Sequence, residues 1–265
     1  MIYKQFSAQE LYCMAELLRK NSMYGIPNGF EMFSEDELPQ IKASVLDELL
    51  NKQVTTMNLD GRTVLAADYR GLVDAICDCD ACLTVNYQSG EDRSEDTVLW
   101  RTGTSYLRAD VIDDRFVFVT EDADSIKSYL SAINIKSNGA SEKKRVTIPH
   151  IALAKAKRAA ADKKDEDAKR ILLQNGAGDL TDVILAGLKE NADYLGLLLM
   201  TNMPEERPMQ QAAYLCANGI LLTLSETIVN YRNSTAFSVC SEADAAGQIH
   251  EFQSQFVVPS KESTL

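Results

Sequence analysis

The chain has 265 residues, 45% apolar and 25% charged, enough to bury a substantial core in one large domain or two small ones. Its 39 acidic and 27 basic residues leave a net charge of −12, which argues against a general nucleic-acid binder because phosphate neutralisation needs clustered Lys and Arg. The longest apolar runs, around 195–200 and 220–224, are far too short to span a bilayer, and the opening residues carry no signal core, so a cytoplasmic protein is expected.

Ser7-Ala-Gln-Glu10 reads as a capping box, opening a helix over 8–20 with Leu11, Met14, Ala15 and Leu18 on one face. Tyr24-Gly-Ile-Pro27 ends that element. Ser34-Glu-Asp-Glu37 starts a second helix with acids in its first turn, and Ile41, Val45, Leu46, Leu49 and Leu50 form its apolar face. After the turn Asn58-Leu-Asp-Gly61, a third helix is predicted from about Thr63 to Ala75. Strands follow at Cys82–Tyr87, Thr97–Trp100, Ser105–Arg108 and Phe116–Val119. A polar linker covers 136–148, and Pro149 suits the first turn of the next helix. That helix, roughly 150–174, alternates charge and reads as a solvated face with i,i+4 pairs, or as a partner-binding face. Asn175-Gly-Ala-Gly178 stops it. Beyond lie an apolar helix face (Ile184, Leu185, Leu188) and strands at Leu195–Met200, Ala212–Cys216, Ile220–Leu224 and Phe237–Cys240.

The second series repeats the first. Leu72, Val73 and Ile76 match Ile184, Leu185 and Leu188 at one constant offset. Gly103 is matched with Gly219, and Phe116-x-Phe-x-Thr-Glu with Phe237-x-Val-x-Ser-Glu. The expected fold is therefore α+β: a pseudo-two-fold duplicated α/β fold, with antiparallel meander sheet or sheets flanked by helices. The halves are 1–135 and 149–258, followed by a frayed tail at 259–265.

Catalytic chemistry is sought and mostly not found. His150 and His250 stand apart from any recognisable Ser or Cys nucleophile setting, and there is no phosphate-binding Gly-rich loop. Cys77-Asp-Cys-Asp-Ala-Cys82 offers three thiols, but a closed zinc site needs a fourth ligand and usually two spaced pairs. No cofactor, no metal and no enzymatic activity are expected. Residues 34–76 look locally like a winged-helix unit, which gives a regulatory DNA-binding alternative. Its would-be recognition helix, however, carries Asp36, Glu37, Asp47 and Glu48, or Asp68 and Asp74.

Several local features are similar to one family. They are Phe6-Ser-Ala-Gln-Glu-Leu-Tyr12, Gly25-Ile-Pro27 after the first helix, Leu46-Asp-Glu-Leu-Leu50, and Leu59-Asp-Gly61 ahead of an apolar helix that leads into strands. With this layout the chain resembles the EspG-type chaperones of type VII (ESX) secretion systems, as a diverged, Firmicutes-type Gram-positive member without the Arg/Ala-rich character of actinobacterial ones. The resemblance implies a cytoplasmic, non-enzymatic chaperone or adaptor, monomeric or weakly dimeric. It would bind a helical secreted effector and neither nucleic acid nor membrane. It also implies a client site at a loop between central strands together with C-terminal helices. By position that loop is Ser89, Gly90, Glu91, Asp92 and Arg93, and its symmetry mate is Met203, Pro204, Glu205, Glu206 and Arg207. The two loops are expected to lie opposite each other.

Overall fold

The computed structural model describes residues 5–89, 93–133, 135, 137, 144–201 and 210–257. Strand β1 (Phe6–Ser7) passes directly into α1 (Ala8–Leu17). There the Ser7 hydroxyl accepts from the Glu10 N–H, and the Glu10 carboxylate accepts from the Ser7 N–H at 2.8 Å, the reciprocal cap the sequence predicts. Next come α2 (Leu38–Asn51), a small hairpin of β2 (Thr55–Met57) and β3 (Thr63–Leu65), and α3 (Ala67–Cys77). Strands β4 (Ala81–Ser89), β5 (Arg93–Thr102), β6 (Ser105–Ile112) and β7 (Arg115–Glu121) lead to α4 (Ala123–Ala132). The second half opens with β8 (Arg145–Pro149), α5 (His150–Ala161) and α6 (Asp165–Gln174). A 3-10 turn at Gly178–Leu180 enters α7 (Thr181–Leu188). Then β9 (Asp193–Thr201), β10 (Gln210–Ala217), β11 (Ile220–Val229) and β12 (Arg232–Val239) run into α8 (Glu242–Phe256).

Ten strands form one antiparallel sheet in the order β1-β7-β6-β5-β4-β9-β10-β11-β12-β8, and the fold is α+β. The order is symmetric about the β4–β9 pair. Ala81 and Asp193 open those two nine-residue strands, and from 81 to 193 is a displacement of 112. The same displacement carries Leu72, Val73 and Ile76 onto Ile184, Leu185 and Leu188. It also carries Val85 onto Leu197, and these two residues face each other in the ladder. A pseudo-dyad therefore passes through the Val85–Leu197 pair. Each half also has an edge strand ahead of its helices: β1 on β7 and β8 on β12.

Side-chain alternation along the strands gives the sheet two apolar faces. On one face, Leu11, Met14, Leu72 and Ile76 of the first helices pack with Cys82, Trp100 and Phe118. On the same face of the second half, Ala156, Leu172 and Ile184 pack with Leu215, Leu222 and Phe237. The opposite face is a single layer in which Ile126, Leu130, Phe252 and Phe256 of α4 and α8 cover strands of both halves, including Leu83, Leu99, Leu197 and Tyr214. Trp100 is fully buried and its indole N–H donates to the Tyr24 carbonyl at 2.7 Å. Gly25 sits beside it at φ +73°, where a Cβ would lie 2.6 Å from Val98 Cγ1 and 2.8 Å from Cys82 Sγ. Only glycine fits that approach.

Several expectations need correction. The helix predicted from Thr63 begins only at Ala67, because the β-branched Thr63-Val64 pairs with Met57 and Thr56 across the Asn58–Gly61 turn. The helix predicted over 150–174 is two, broken at Asp162–Lys164, with α5 and α6 together forming a cover that buries Ala152, Ala156, Ala160, Ala168 and Leu172. Residues 145–148, read as linker, belong to β8.

Two alignments also shift. Gly103 corresponds to Asn218 rather than Gly219, since each is the first turn residue after its strand. Gly103 alone has positive φ in its turn, a II′ pattern with glycine first, whereas Asn218 and Gly219 both do, the I′ pattern with glycine second. Phe118, across from Ala109, is the counterpart of Phe237, across from Leu224, and each precedes its helix cap by four residues. The intervening β11–β12 hairpin is longer than β6–β7, which hides that match in an ungapped comparison.

Candidate partner-binding site

Ser89 ends β4 and pairs with Arg93 at the start of β5; Gly90, Glu91 and Asp92 lie outside the described residues. Thr201 ends β9 and Gln210 starts β10; Met203, Pro204, Glu205, Glu206 and Arg207 lie outside the described residues. In the antiparallel β4–β9 ladder, Gln88 faces Tyr194 while Ala81 faces Thr201. The roots of the two loops are therefore at opposite ends of the central strands, roughly 25 Å apart at about 3.4 Å per residue. A dyad through the middle of an antiparallel pair exchanges its ends, which is why the two described roots lie at opposite ends of it.

At the first root, the Gln88 amide donates to the Glu190 carbonyl at 2.9 Å and the Ser89 hydroxyl to Asp193 Oδ1 at 3.1 Å. Glu190 lies in the turn from α7 to β9. That turn is one wall of a cleft of about 680 Å³, whose other wall is the end of α5 and the turn into α6. Ala160, Ala161 and Leu188 supply alkyl surface; Lys157, Lys163, Lys189, Asp165, Glu190 and Asn191 supply polar groups. The volume lies within the range of ligand-sized clefts. Lys189 is bound to Asp165 at 2.8 Å, and Lys157 stands 3.7 Å from Glu190.

Helix-end geometry brings these groups together. α5 and α7 both stop with a left-handed residue, Lys163 at φ 60° and Glu190 at φ 61°. Each end is closed by a pair of backbone hydrogen bonds: Lys164 N–H to Ala159 O with Lys163 N–H to Ala160 O, and Asn191 N–H to Ala186 O with Glu190 N–H to Gly187 O. Chemically the arrangement can hold a charged group against an alkyl wall. It has no paired nucleophile and base.

The other sequence candidates sit elsewhere. Cys77, Cys79 and Cys82 are buried among core side chains. Desolvation pushes the Cys77 thiol up to about 11 and Cys79 to about 12, and raises Cys82 as well, so none is a thiolate near neutral pH. Among the described residues no group of three or more His, Cys, Asp or Glu side chains is placed to hold a metal ion. His150 Nε2 meets Glu226 at 2.5 Å and His250 Nδ1 meets Gln253 at 3.4 Å.

Over residues 34–76, which suggested a winged helix, Lys42 is paired with Glu16, Lys52 with the buried Glu10, and Arg70 with Asp74 at 3.8 Å. Cations already committed to carboxylates are a poor footprint for phosphates. Among the described residues no helix is long and apolar enough to cross a membrane.

In the sequence the cleft residues come from two segments some thirty positions apart, and Lys157 and Lys163 belong to a run that reads as a solvated charged face. The signal the sequence does hold is that two helix stops, near 163 and 190, each carry a lysine at or beside the stop.

No family model matches the chain, and no curated protein matches it. Among solved structures it is similar to the type VII secretion system chaperone EspG5 of Mycobacterium tuberculosis, determined in complex with a PE25–PPE41 dimer. That likeness spans 96% of this chain and 95% of the other, at 10% sequence identity and a TM-score of 0.47.

Proposed function

We propose that the chain is a cytoplasmic, non-enzymatic chaperone or adaptor. It binds a helical secreted substrate of a type VII secretion system and keeps it soluble and export-competent. The observation that carries this reading is the meeting of the β4–β5 loop root with helices of the second half. Gln88 is hydrogen-bonded to Glu190 of the α7–β9 turn that walls the cleft, and Ser89 to Asp193 where β9 begins. The resemblance read from Phe6–Tyr12, Gly25–Pro27 and Leu46–Leu50 implies a client site of that composition, a central loop beside C-terminal helices. A helix tip laid across a loop and helix ends buries surface on the order of a standard interface, about 1,600 Å² in total over both partners.

The test is co-expression with helical secreted proteins encoded beside this gene, followed by size-exclusion chromatography. A stoichiometric heterocomplex that survives the column is expected. Recovery of the chain alone with every such protein would refute the reading.

A further inference from the structure

We propose that the cleft between the ends of α5 and α7 receives a carboxylate side chain, an Asp or Glu carried on the helical partner. The inference rests on the function proposed above and specifies the chemistry of the partner at that site. The chain as a whole carries −12 and repels acidic proteins at a distance. Against that background the cleft gathers three ammonium groups, from Lys157, Lys163 and Lys189, against two carboxylates, from Asp165 and Glu190, and so has a local excess of positive charge.

Their commitments differ. Lys189 is already bound to Asp165 at 2.8 Å and serves as part of the wall. Lys157 is 3.7 Å from Glu190, beyond hydrogen-bond length, so its donors are not satisfied by that contact. Lys163 has no side-chain partner among the described residues, and its backbone is fixed in the left-handed turn that closes α5.

Two cations with donors to spare therefore border a cleft that also holds the Lys189–Asp165 pair, Glu190 and Asn191, beside an alkyl wall of Ala160, Ala161 and Leu188. The complementary ligand is an anion with apolar groups next to it. An acidic residue on a helix, with an apolar residue three or four positions away on the same face, has that shape. A carboxylate accepting from Lys157 and Lys163 gains charge-assisted hydrogen bonds of about 2.7–2.9 Å. The surrounding negative field then disfavours any acidic helix that cannot place its carboxylate there, which favours one docking register.

The experiment uses the full chain co-purified with a helical secreted protein encoded beside it. Treatment with a carbodiimide, which joins only amines and carboxylates already in contact, is followed by mass spectrometry of the linked peptides. We expect Lys157 or Lys163 to be joined to an Asp or Glu of the partner. In titration calorimetry the K157Q/K163Q double variant should bind at least tenfold more weakly and with a shallower salt dependence. Lys155→Gln, on the same helix but outside the cleft, should change affinity less than twofold, and circular dichroism should show all three proteins folded. Wild-type affinity in the double variant, or cross-links only at other lysines, would overturn the cleft assignment and leave the chaperone reading standing. Failure of the wild-type chain to bind any helical secreted protein would remove both.

Discussion

The six thiols show how burial decides what a side chain can do. Cys77, Cys79 and Cys82 ionise in an unfolded chain near 9.0, but in the fold desolvation holds Cys77 at about 11 and Cys79 at about 12. Between those limits the folded state keeps protons that the unfolded state loses. Their contribution to stability is therefore complete below pH 9 and is lost as pH rises towards 11–12. The expected outcome is a lower urea midpoint at pH 10 than at pH 8, with a smaller drop in Cys79→Ala. An equal drop in both proteins would show that the Cys79 thiol is not responsible. The sequence made part of this readable: alternation along 82–87 turned Cys82 inward. It did not reveal that Cys77 and Cys79 are buried too, because that depends on the packing of α1 beside α3.

Helix ends were the least readable elements, and one cause accounts for most of it. α1, α2, α5, α6 and α7 all close with the same pair of backbone bonds around a left-handed residue: Arg19, Gln53, Lys163, Gly176 and Glu190. Only one of the five is the glycine that usually marks such a stop, and Asn175-Gly176 is the stop that was found in the sequence. Lys163 hid the corner between α5 and α6. A non-glycine residue held at positive φ costs energy, about 1–2 kcal/mol, part of which a glycine would give back through its looser unfolded chain. Gln53→Gly should therefore stabilise the protein by about 0.5–1 kcal/mol in a urea titration. A loss of stability would mean that the Gln53 side chain contributes more than its strained backbone costs. Strands were more readable, since each expected strand overlaps an observed one, Phe237–Cys240 running one residue past the end of β12. The registers were not, because the II′ and I′ turns place glycine differently and the β11–β12 hairpin is longer than its mate.

For the molecule as a whole, the layer formed by α4 and α8 matters most. It packs on strands of both halves at once, with Phe256 and Tyr214 in the same cluster as Leu99 and Ile126. Opening either half would strip apolar cover from the other. Calorimetry should accordingly give one unfolding transition whose van't Hoff and calorimetric enthalpies agree. Two resolved transitions would mean that the halves are independent domains.

The pseudo-dyad also gives the molecule two comparable ends, and at each a cleft lies beside a helix stop, of about 680 Å³ at α5 and about 380 Å³ at α1. Moved by 112 positions, Glu190 of the cleft falls on Asp78, and the stop of α5 at Lys163 answers to the stop of α1 at Arg19. There Lys20, the residue after that stop, is clasped by Asp78 and by Asp74 at 3.2 Å. At that end a cation beside a helix stop is held by two carboxylates of its own half, so the fold already contains, within one chain, the kind of contact proposed for a partner's carboxylate with Lys157 and Lys163.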